Sequence, residues 1–234
     1  METTPSLGQK IAAEFLGTFL FVFVGAGSAV ALGYMASTSS GANLLVVAFA
    51  NGLGLAIGVT ATMSISGGHL NPAVTIGFLA AHKISTPHAI AYIISQVIGS
   101  SVAGLLLISV LPTGIGNSVG WGAPAVAGIS VGQAIALEGI MTFILVLTVF
   151  GTAVDPRAPK VGGFAIGLIV AADVLIGGPF TGAAMNPARA IGPQIAGSIL
   201  TGTGAFANWY VWWIGPIIGG IVAALVYVHL IWKK

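Results

Sequence analysis

The octapeptides SGGHLNPA at residues 66–73 and TGAAMNPA at residues 181–188 decide the fold of this 234-residue chain. Both contain Asn-Pro-Ala, and in both an Ile-Gly pair begins three residues after the alanine. Asparagine is a favourable helix cap, and proline at the first helical position loses no hydrogen bond. The two Asn-Pro pairs therefore predict two helix starts at equivalent places in two copies of one unit.

The composition indicates a membrane protein. Only 7 basic and 5 acidic residues occur, or 5% of the chain, whereas soluble domains carry roughly 25%. Mean hydropathy is +1.05, and there is no cysteine. These values exclude a soluble enzyme, a nucleic-acid binder, a disordered chain, a disulfide and a thiolate metal site. We expect a polytopic protein in contact with the lipid bilayer and without a nucleic-acid partner.

Long stretches without charge set the number of spans. None of Asp, Glu, Lys or Arg occurs in residues 15–82, 84–137 or 190–232. A membrane helix needs about 20 apolar residues. This length predicts an all-α membrane protein with six transmembrane helices, at residues 9–32, 44–63, 88–110, 131–152, 161–178 and 208–231. Two shorter apolar pieces, 69–82 and 184–198, are predicted to be re-entrant half-helices.

The two halves of the chain repeat one another. Both open with Glu-x-x-x-Thr-Phe, at Glu14 and at Glu138. Each half, approximately residues 9–110 and 131–231, contains three spans, and this odd number inverts the second half relative to the first. We therefore predict a single domain over residues 1–234, built as an inverted repeat with its functional site near the membrane midplane.

Basic residues predict the orientation. With six spans, six of the seven basic residues fall on one side of the membrane, which is then the cytoplasmic side. These six are Lys10, Lys83, Arg157, Lys160, Lys233 and Lys234. Both termini are therefore expected in the cytoplasm. The seventh, Arg189, lies inside the membrane or at its outer edge.

The motifs also predict a polar path through the protein. Half-helices that enter from opposite faces bring their N-termini together, each with a partial positive charge of about +0.5. Irregular backbone at this depth requires a water-filled cavity or surrounding protein. Glycines before the two motifs favour an extended backbone that presents carbonyls to such a cavity: Gly67, Gly68, Gly177, Gly178 and Gly182. Asn71 and Asn186 would donate hydrogen bonds at its centre.

Two Asn-Pro-Ala boxes, the second followed directly by Arg189, carry a specific resemblance. The chain resembles the major intrinsic proteins, the aquaporins, over its whole length, and residues 178–189 look most like the tonoplast intrinsic branch. This implies a passive water channel that excludes protons and ions, needs no cofactor and usually forms a homotetramer. The pore motifs are then Asn71, Pro72, Ala73, Asn186, Pro187 and Ala188.

The resemblance implies a second constriction near the outer mouth, formed by Asn51, Val174, Ala183 and Arg189. Strict water channels of the family usually have an aromatic residue at the first position and His at the second. Because Asn51 and Val174 depart from this, we expect a wider filter that also passes ammonia, urea or hydrogen peroxide. Ala190, where the glycerol-conducting branch usually has Asp, favours the water-channel side.

Four more polar residues are candidates for pore lining or loop support. Glu14 and Glu138 either accept hydrogen bonds from backbone N–H groups of the re-entrant loops, which we favour, or couple transport to protons. Asp173 either anchors a loop, which we favour, or lines the pore or responds to pH. His69 faces the inner pore or caps its loop. The histidines are not at metal-ligand spacing.

An ion-coupled secondary transporter is the alternative function. It would share the inverted repeat and would use Glu14, Glu138 or Asp173 as coupling sites. The spans lack basic residues to pair with these acids, which argues against it. No H-E-x-x-H motif occurs. Residues 128–132 match Gly-x-Ser-x-Gly, but that motif needs a strand before its serine, and the chain is predicted to be all-α, so we expect no enzyme. Short termini and loops favour a prokaryotic cell membrane, and the tonoplast-like motif is compatible with a vacuolar one.

Overall fold

The computed structural model describes residues 4–38, 44–159, 161–201 and 206–232, and within these residues the protein is helical without strands. Its helices are α1 (Leu7–Thr38), α2 (Leu44–Ser66), α3 (Pro72–Ala80), α4 (Thr86–Val110), α5 (Thr113–Ser118), α6 (Val131–Val149), α7 (Gly162–Thr181), α8 (Pro187–Thr201) and α9 (Val211–Val226). The π-helical turns Phe150–Val154 and Tyr227–Ile231 extend α6 and α9. A 3₁₀ turn, Gly120–Gly122, follows α5.

Six helices in the described part of the chain, α1, α2, α4, α6, α7 and α9, are long and apolar enough to cross a membrane. Their mean hydropathy ranges from 1.9 to 2.2. The other two apolar helices, α3 and α8, have only 9 and 15 residues and begin at Pro72 and Pro187. The predicted fold class, with six spans and two half-helices, is therefore confirmed.

Glycines bring the helices of each half into close contact. A Cβ atom on Gly99 of α4 would lie 2.5 Å from the carbonyl oxygen of Phe15 in α1. At the equivalent place in the second half, a Cβ on Gly219 of α9 would collide with the carbonyl oxygen of Gly139 in α6. Small residues at such crossings let membrane helices pack backbone to backbone. The two halves therefore repeat in packing as well as in sequence.

Three of the four described basic residues, Lys10, Lys83 and Arg157, lie at one end of the helix bundle, and the fourth is Arg189 of α8. Lys10 and Lys83 line the same cavity, and Nζ of Lys83 lies 4.2 Å from the ring centre of Trp232. Arg157 pairs with Asp155, which also accepts a hydrogen bond from the extension of α9. Lys160, Lys233 and Lys234 lie outside the described residues. That this end is cytoplasmic stays a prediction.

One expectation about the backbone was wrong. Gly177 and Gly178 are not extended, because α7 continues to Thr181 and ends at Gly182 with φ +73°. In the first half, α2 ends at Ser66, and the next two glycines have left-handed backbone, with φ +95° at Gly67 and +63° at Gly68. Glycine permits left-handed or extended backbone without requiring it. The approaches to the two motifs, residues 67–70 and 182–185, are therefore equal in length.

Candidate pore site

The two half-helices start as the motifs predict. Asn71 caps α3 with extended backbone, and its Oδ1 accepts a hydrogen bond from the Ala73 N–H at 2.8 Å. Oδ1 of Asn186 accepts hydrogen bonds from the N–H groups of Ala188 at 3.0 Å and Arg189 at 3.1 Å. Each asparagine thus satisfies N–H groups that a helix start leaves free.

The same asparagines join the two halves. Nδ2 of Asn71 donates to the Met185 carbonyl, and Nδ2 of Asn186 donates to the Leu70 carbonyl, both at 2.9 Å. The accepting residues have left-handed backbone, with φ +50° at Leu70 and +52° at Met185. Such angles are uncommon outside glycine and indicate local strain. The reciprocal hydrogen bonds hold these carbonyls in place and bring the starts of α3 and α8 together.

Glu14 holds the first re-entrant loop from behind. Its Oε1 accepts hydrogen bonds from the His69 N–H at 2.9 Å and from the Ser66 hydroxyl at 2.6 Å. Its Oε2 accepts from the Leu70 N–H and from the Gln96 amide, both at 2.7 Å. The side chain is fully buried. These are the backbone hydrogen bonds expected of a loop support.

Glu138 holds the second loop in the same way. Oε1 accepts hydrogen bonds from the Ala184 N–H at 2.9 Å and from the Thr181 hydroxyl at 2.7 Å. Oε2 accepts from the Met185 N–H at 2.7 Å. An ionised carboxylate is an acceptor only, and each partner here is a donor. Because the N–H groups of both loops donate to the glutamates, carbonyl oxygens of the loops are available to accept hydrogen bonds from other donors.

The four filter candidates are buried in different elements. Asn51 lies in α2, Val174 in α7, Ala183 before α8 and Arg189 within it, each at most 5% exposed. Nη1 of Arg189 donates to the Gly122 carbonyl at 3.0 Å, which fixes the guanidinium against the 3₁₀ turn.

The other two candidates have different surroundings. Nδ1 of His69 lies 3.2 Å from the Thr75 hydroxyl, and its ring centre lies 4.2 Å from that of Phe78. A polar cavity opens beside this ring. Asp173 is 2% exposed, and its Oδ2 has no hydrogen-bond partner among the described residues. No loop-anchoring hydrogen bond is therefore present at this oxygen.

Sequence reasoning missed several partners of the site. Gln96 donates to Glu14, and the Ser100 hydroxyl donates to the Ala188 carbonyl and accepts from the Gly192 N–H. The Trp212 indole donates to the Thr181 carbonyl. A signal existed for Gln96 and Ser100, because polar side chains in an otherwise apolar span must find partners inside the protein.

Comparison with known proteins settles the family. A profile of the major intrinsic protein family matches residues 1–227. The chain belongs to the major intrinsic protein family. It is 44% identical over 231 residues to a probable aquaporin TIP2-1 of Oryza sativa subsp. japonica, covering 94% of this chain and 86% of that one. It is 42% identical over 239 residues to a probable aquaporin TIP3-2 of Arabidopsis thaliana, covering 98% and 86%.

A solved structure supports the same assignment. The X-ray structure of the aquaglyceroporin from Plasmodium falciparum superposes with a TM-score of 0.89 at 26% identity, over 97% of this chain and 98% of that one. The protein is therefore an integral, multi-pass membrane channel of the aquaporin type and not an enzyme. These relatives support a water channel and do not favour the ion-coupled transporter.

Proposed function

We propose that water crosses this protein passively, along a path that passes the joined starts of α3 and α8. The observation that carries the proposal is the reciprocal pair of hydrogen bonds from Asn71 to Met185 and from Asn186 to Leu70. Each amide nitrogen has two N–H donors, and only one is used in this pair. The second can donate to the oxygen of a passing water molecule.

The same arrangement supports exclusion of protons and cations. A water molecule that accepts from the asparagine amides directs its own hydrogens outward, towards the loop carbonyls on either side. It then cannot pass a proton along the file. The N-terminal ends of α3 and α8 place two partial positive charges at this point, and these repel cations.

Stopped-flow light scattering on proteoliposomes tests the channel. A sucrose gradient should shrink the vesicles faster than empty liposomes, with a low activation energy. Val174→Trp should abolish the increase, because the indole would fill the filter region, whereas Thr148→Val should not. The Thr148 hydroxyl bonds only to the Ile144 carbonyl of its own helix. Shrinkage no faster than that of empty liposomes would contradict the proposal.

We further propose that the filter admits ammonia, urea or hydrogen peroxide. Support comes from the small side chains of Val174 and Ala183. It also comes from Gly25 of α1, which leaves room for the side chain of Asn51, because a Cβ at Gly25 would collide with Oδ1 of Asn51. The double substitution Asn51→Phe, Val174→His should lower urea and ammonia flux far more than water flux. Equal solute flux in the parent and the double variant would argue against a filter at these residues.

The hydrogen bonds of the two glutamates speak against the coupled transporter. Every carboxylate oxygen of Glu14 and Glu138 already accepts hydrogen bonds from protein groups. A coupling site would have to exchange protons or ions during each transport cycle. Urea uptake that saturates and needs a proton or sodium gradient would favour this alternative.

We propose a homotetramer with one pore per subunit, supported by the family assignment alone. Mass measurement of the detergent-solubilised protein tests it. A mass corresponding to one or two copies would contradict it.

We also propose cytoplasmic termini, since Lys10, Lys83 and Arg157 lie at one end of the bundle. The chain has no cysteine. In intact cells, a single cysteine at Ser118, exposed near the opposite end, should react with an impermeant thiol reagent, and one at Ser85 should not.

The plant relatives give no support to the expected prokaryotic cell membrane, and localisation of a tagged chain would distinguish it from a vacuolar membrane.

A further inference from the structure

Three successive residues with left-handed backbone form the turn to which Arg189 is bonded. Their φ angles are +58° at Gly120, +55° at Trp121 and +73° at Gly122. Glycine adopts this conformation readily, whereas a bulky residue with positive φ is strained and persists only where its surroundings fix it. Trp121 is therefore held in this turn by contacts that outweigh the strain, and the function proposed above gives these contacts no role.

The indole of Trp121 anchors the turn inside the helix bundle. It is fully buried, and its Nε1 donates a hydrogen bond to Oδ1 of Asn117 at 2.9 Å. The ring lies directly on the backbone of α5, because a Cβ added at Gly116 would collide with it. Helices α1, α4 and α8 supply the other buried residues of its apolar cluster: Ala26, Val30, Leu107 and Ala196. Burial of so large a side chain among four helices fixes the position of the turn.

The carbonyl of Gly122, directly after Trp121, holds Arg189. It accepts a hydrogen bond from Nη1 at 3.0 Å. Among the described residues it is the one acceptor for the guanidinium, and Nε and Nη2 have no partner there. Neither of these two nitrogens is fully closed off from water-sized space. The guanidinium is therefore bonded to the turn on one side and can meet a permeating molecule on the other.

The segment around the turn also contacts the surroundings of another filter candidate. A Cβ added at Gly122 would lie 2.9 Å from the Cα of Ala26, so the turn is pressed against α1. Two residues further on, Pro124 lies against Gly182, where an added Cβ would lie 2.8 Å from the Cα of Pro124. Gly182 directly precedes Ala183. The turn is therefore part of the wall around the filter candidates, and packing sets the position of its carbonyl.

We propose that Trp121 is a positioning residue of the filter, which acts through the Gly122 carbonyl to keep the Arg189 guanidinium at the wall and out of the path of urea. This inference rests on the proposed channel function. A smaller side chain at residue 121 would let the strained turn relax, since such strain persists only where packing maintains it. Arg189 would then lose its acceptor and extend across the path, which would hinder urea more than the smaller water molecule.

The test measures urea and water permeability in proteoliposomes. In Trp121→Leu the urea-to-water ratio should fall about tenfold relative to the parent, as expected for one lost hydrogen bond from a charged group. Trp121→Phe keeps a ring on α5 and should show a smaller fall. Asn117→Ala removes only the acceptor of the indole N–H, at an exposed residue, and should lower the ratio by about threefold.

A second substitution, at Arg189, separates positioning from general packing. In an Arg189→Ala background, Trp121→Leu should leave the ratio unchanged, because the guanidinium through which Trp121 acts is gone. A role in packing alone would lower the ratio in either background. The control variant is Trp209→Leu, which removes an indole that is 52% exposed and should keep the ratio of the parent.

The possible outcomes distinguish the inference from the channel proposal. A parent-like ratio in both Trp121 variants, with water still conducted, would overturn the inference alone. An equal fall with and without Arg189 would overturn it too, as would a parent protein that conducts water but no urea. Absence of water conduction in the parent would overturn the channel proposal and the inference with it. If Trp121→Leu does not fold, Asn117→Ala with and without Arg189→Ala decides.

Discussion

Replacing Glu138 by glutamine should destabilise the protein strongly, although the two side chains have nearly the same shape. The carboxylate accepts three hydrogen bonds, from the Thr181 hydroxyl and from the N–H groups of Ala184 and Met185. Glutamine turns one acceptor oxygen into an NH₂ donor. At least one loop N–H then faces another donor in a site closed to water.

The magnitude follows from the hydrogen bonds lost. One bond to a charged acceptor contributes about 1.5–3 kcal/mol, and a buried N–H without a partner costs a similar amount. We expect Glu138→Gln to lower the free energy of unfolding by about 2–3 kcal/mol. Glu14→Gln should do the same within about 1 kcal/mol, because Glu14 accepts two loop N–H groups in the same arrangement.

Unfolding by SDS in mixed micelles, followed through the fluorescence of the five tryptophans, measures this effect. Thr148→Val is the control, since it removes a hydroxyl bonded only within its own helix. Stability equal to that of the parent in both glutamine variants would refute the loop-support reasoning. Combined with the loss of a gradient-driven flux, that result would identify the two acids as coupling sites.

Two further predictions concern packing and pH. Gly219→Ala should destabilise the protein by about 1–3 kcal/mol in the same SDS titration, because the added Cβ would collide with the Gly139 carbonyl oxygen. Gly132→Ala is the control and should not destabilise the protein, because no atom lies within 4 Å of the added Cβ. The hydrogen bond from Arg157 holds the pKa of the Asp155 carboxyl well below its usual range. The ionised Asp155 carboxylate therefore stabilises the folded protein above the unfolded pKa of about 4, and this stabilisation is lost as pH falls towards the folded pKa. Thermal unfolding should therefore show Asp155→Asn less stable than the parent at pH 7, with a gap that narrows below about pH 4; a gap independent of pH would contradict this.

Much of the fold is predictable because it depends on local or periodic features of the chain. Charge-free stretches fix six spans, since a charged side chain inside the bilayer is strongly unfavourable. Asn71-Pro72 and Asn186-Pro187 fix two helix starts, because capping and proline geometry act within one turn. The predicted span ends differ from the observed ones by at most six residues, at the end of α1, which is predicted at residue 32 and lies at Thr38.

The sequence by itself determined the membrane class, the inverted repeat and the equivalence of Glu14 and Glu138. It did not determine which glycines leave a helix, because Gly177 and Gly178 tolerate either conformation and the packing of α7 decided. Nor did it reveal the bond from Arg189 to Gly122, 67 positions away. Such contacts, like the absence of a partner at Asp173, exist only once distant segments have packed, so only the tertiary structure decided them.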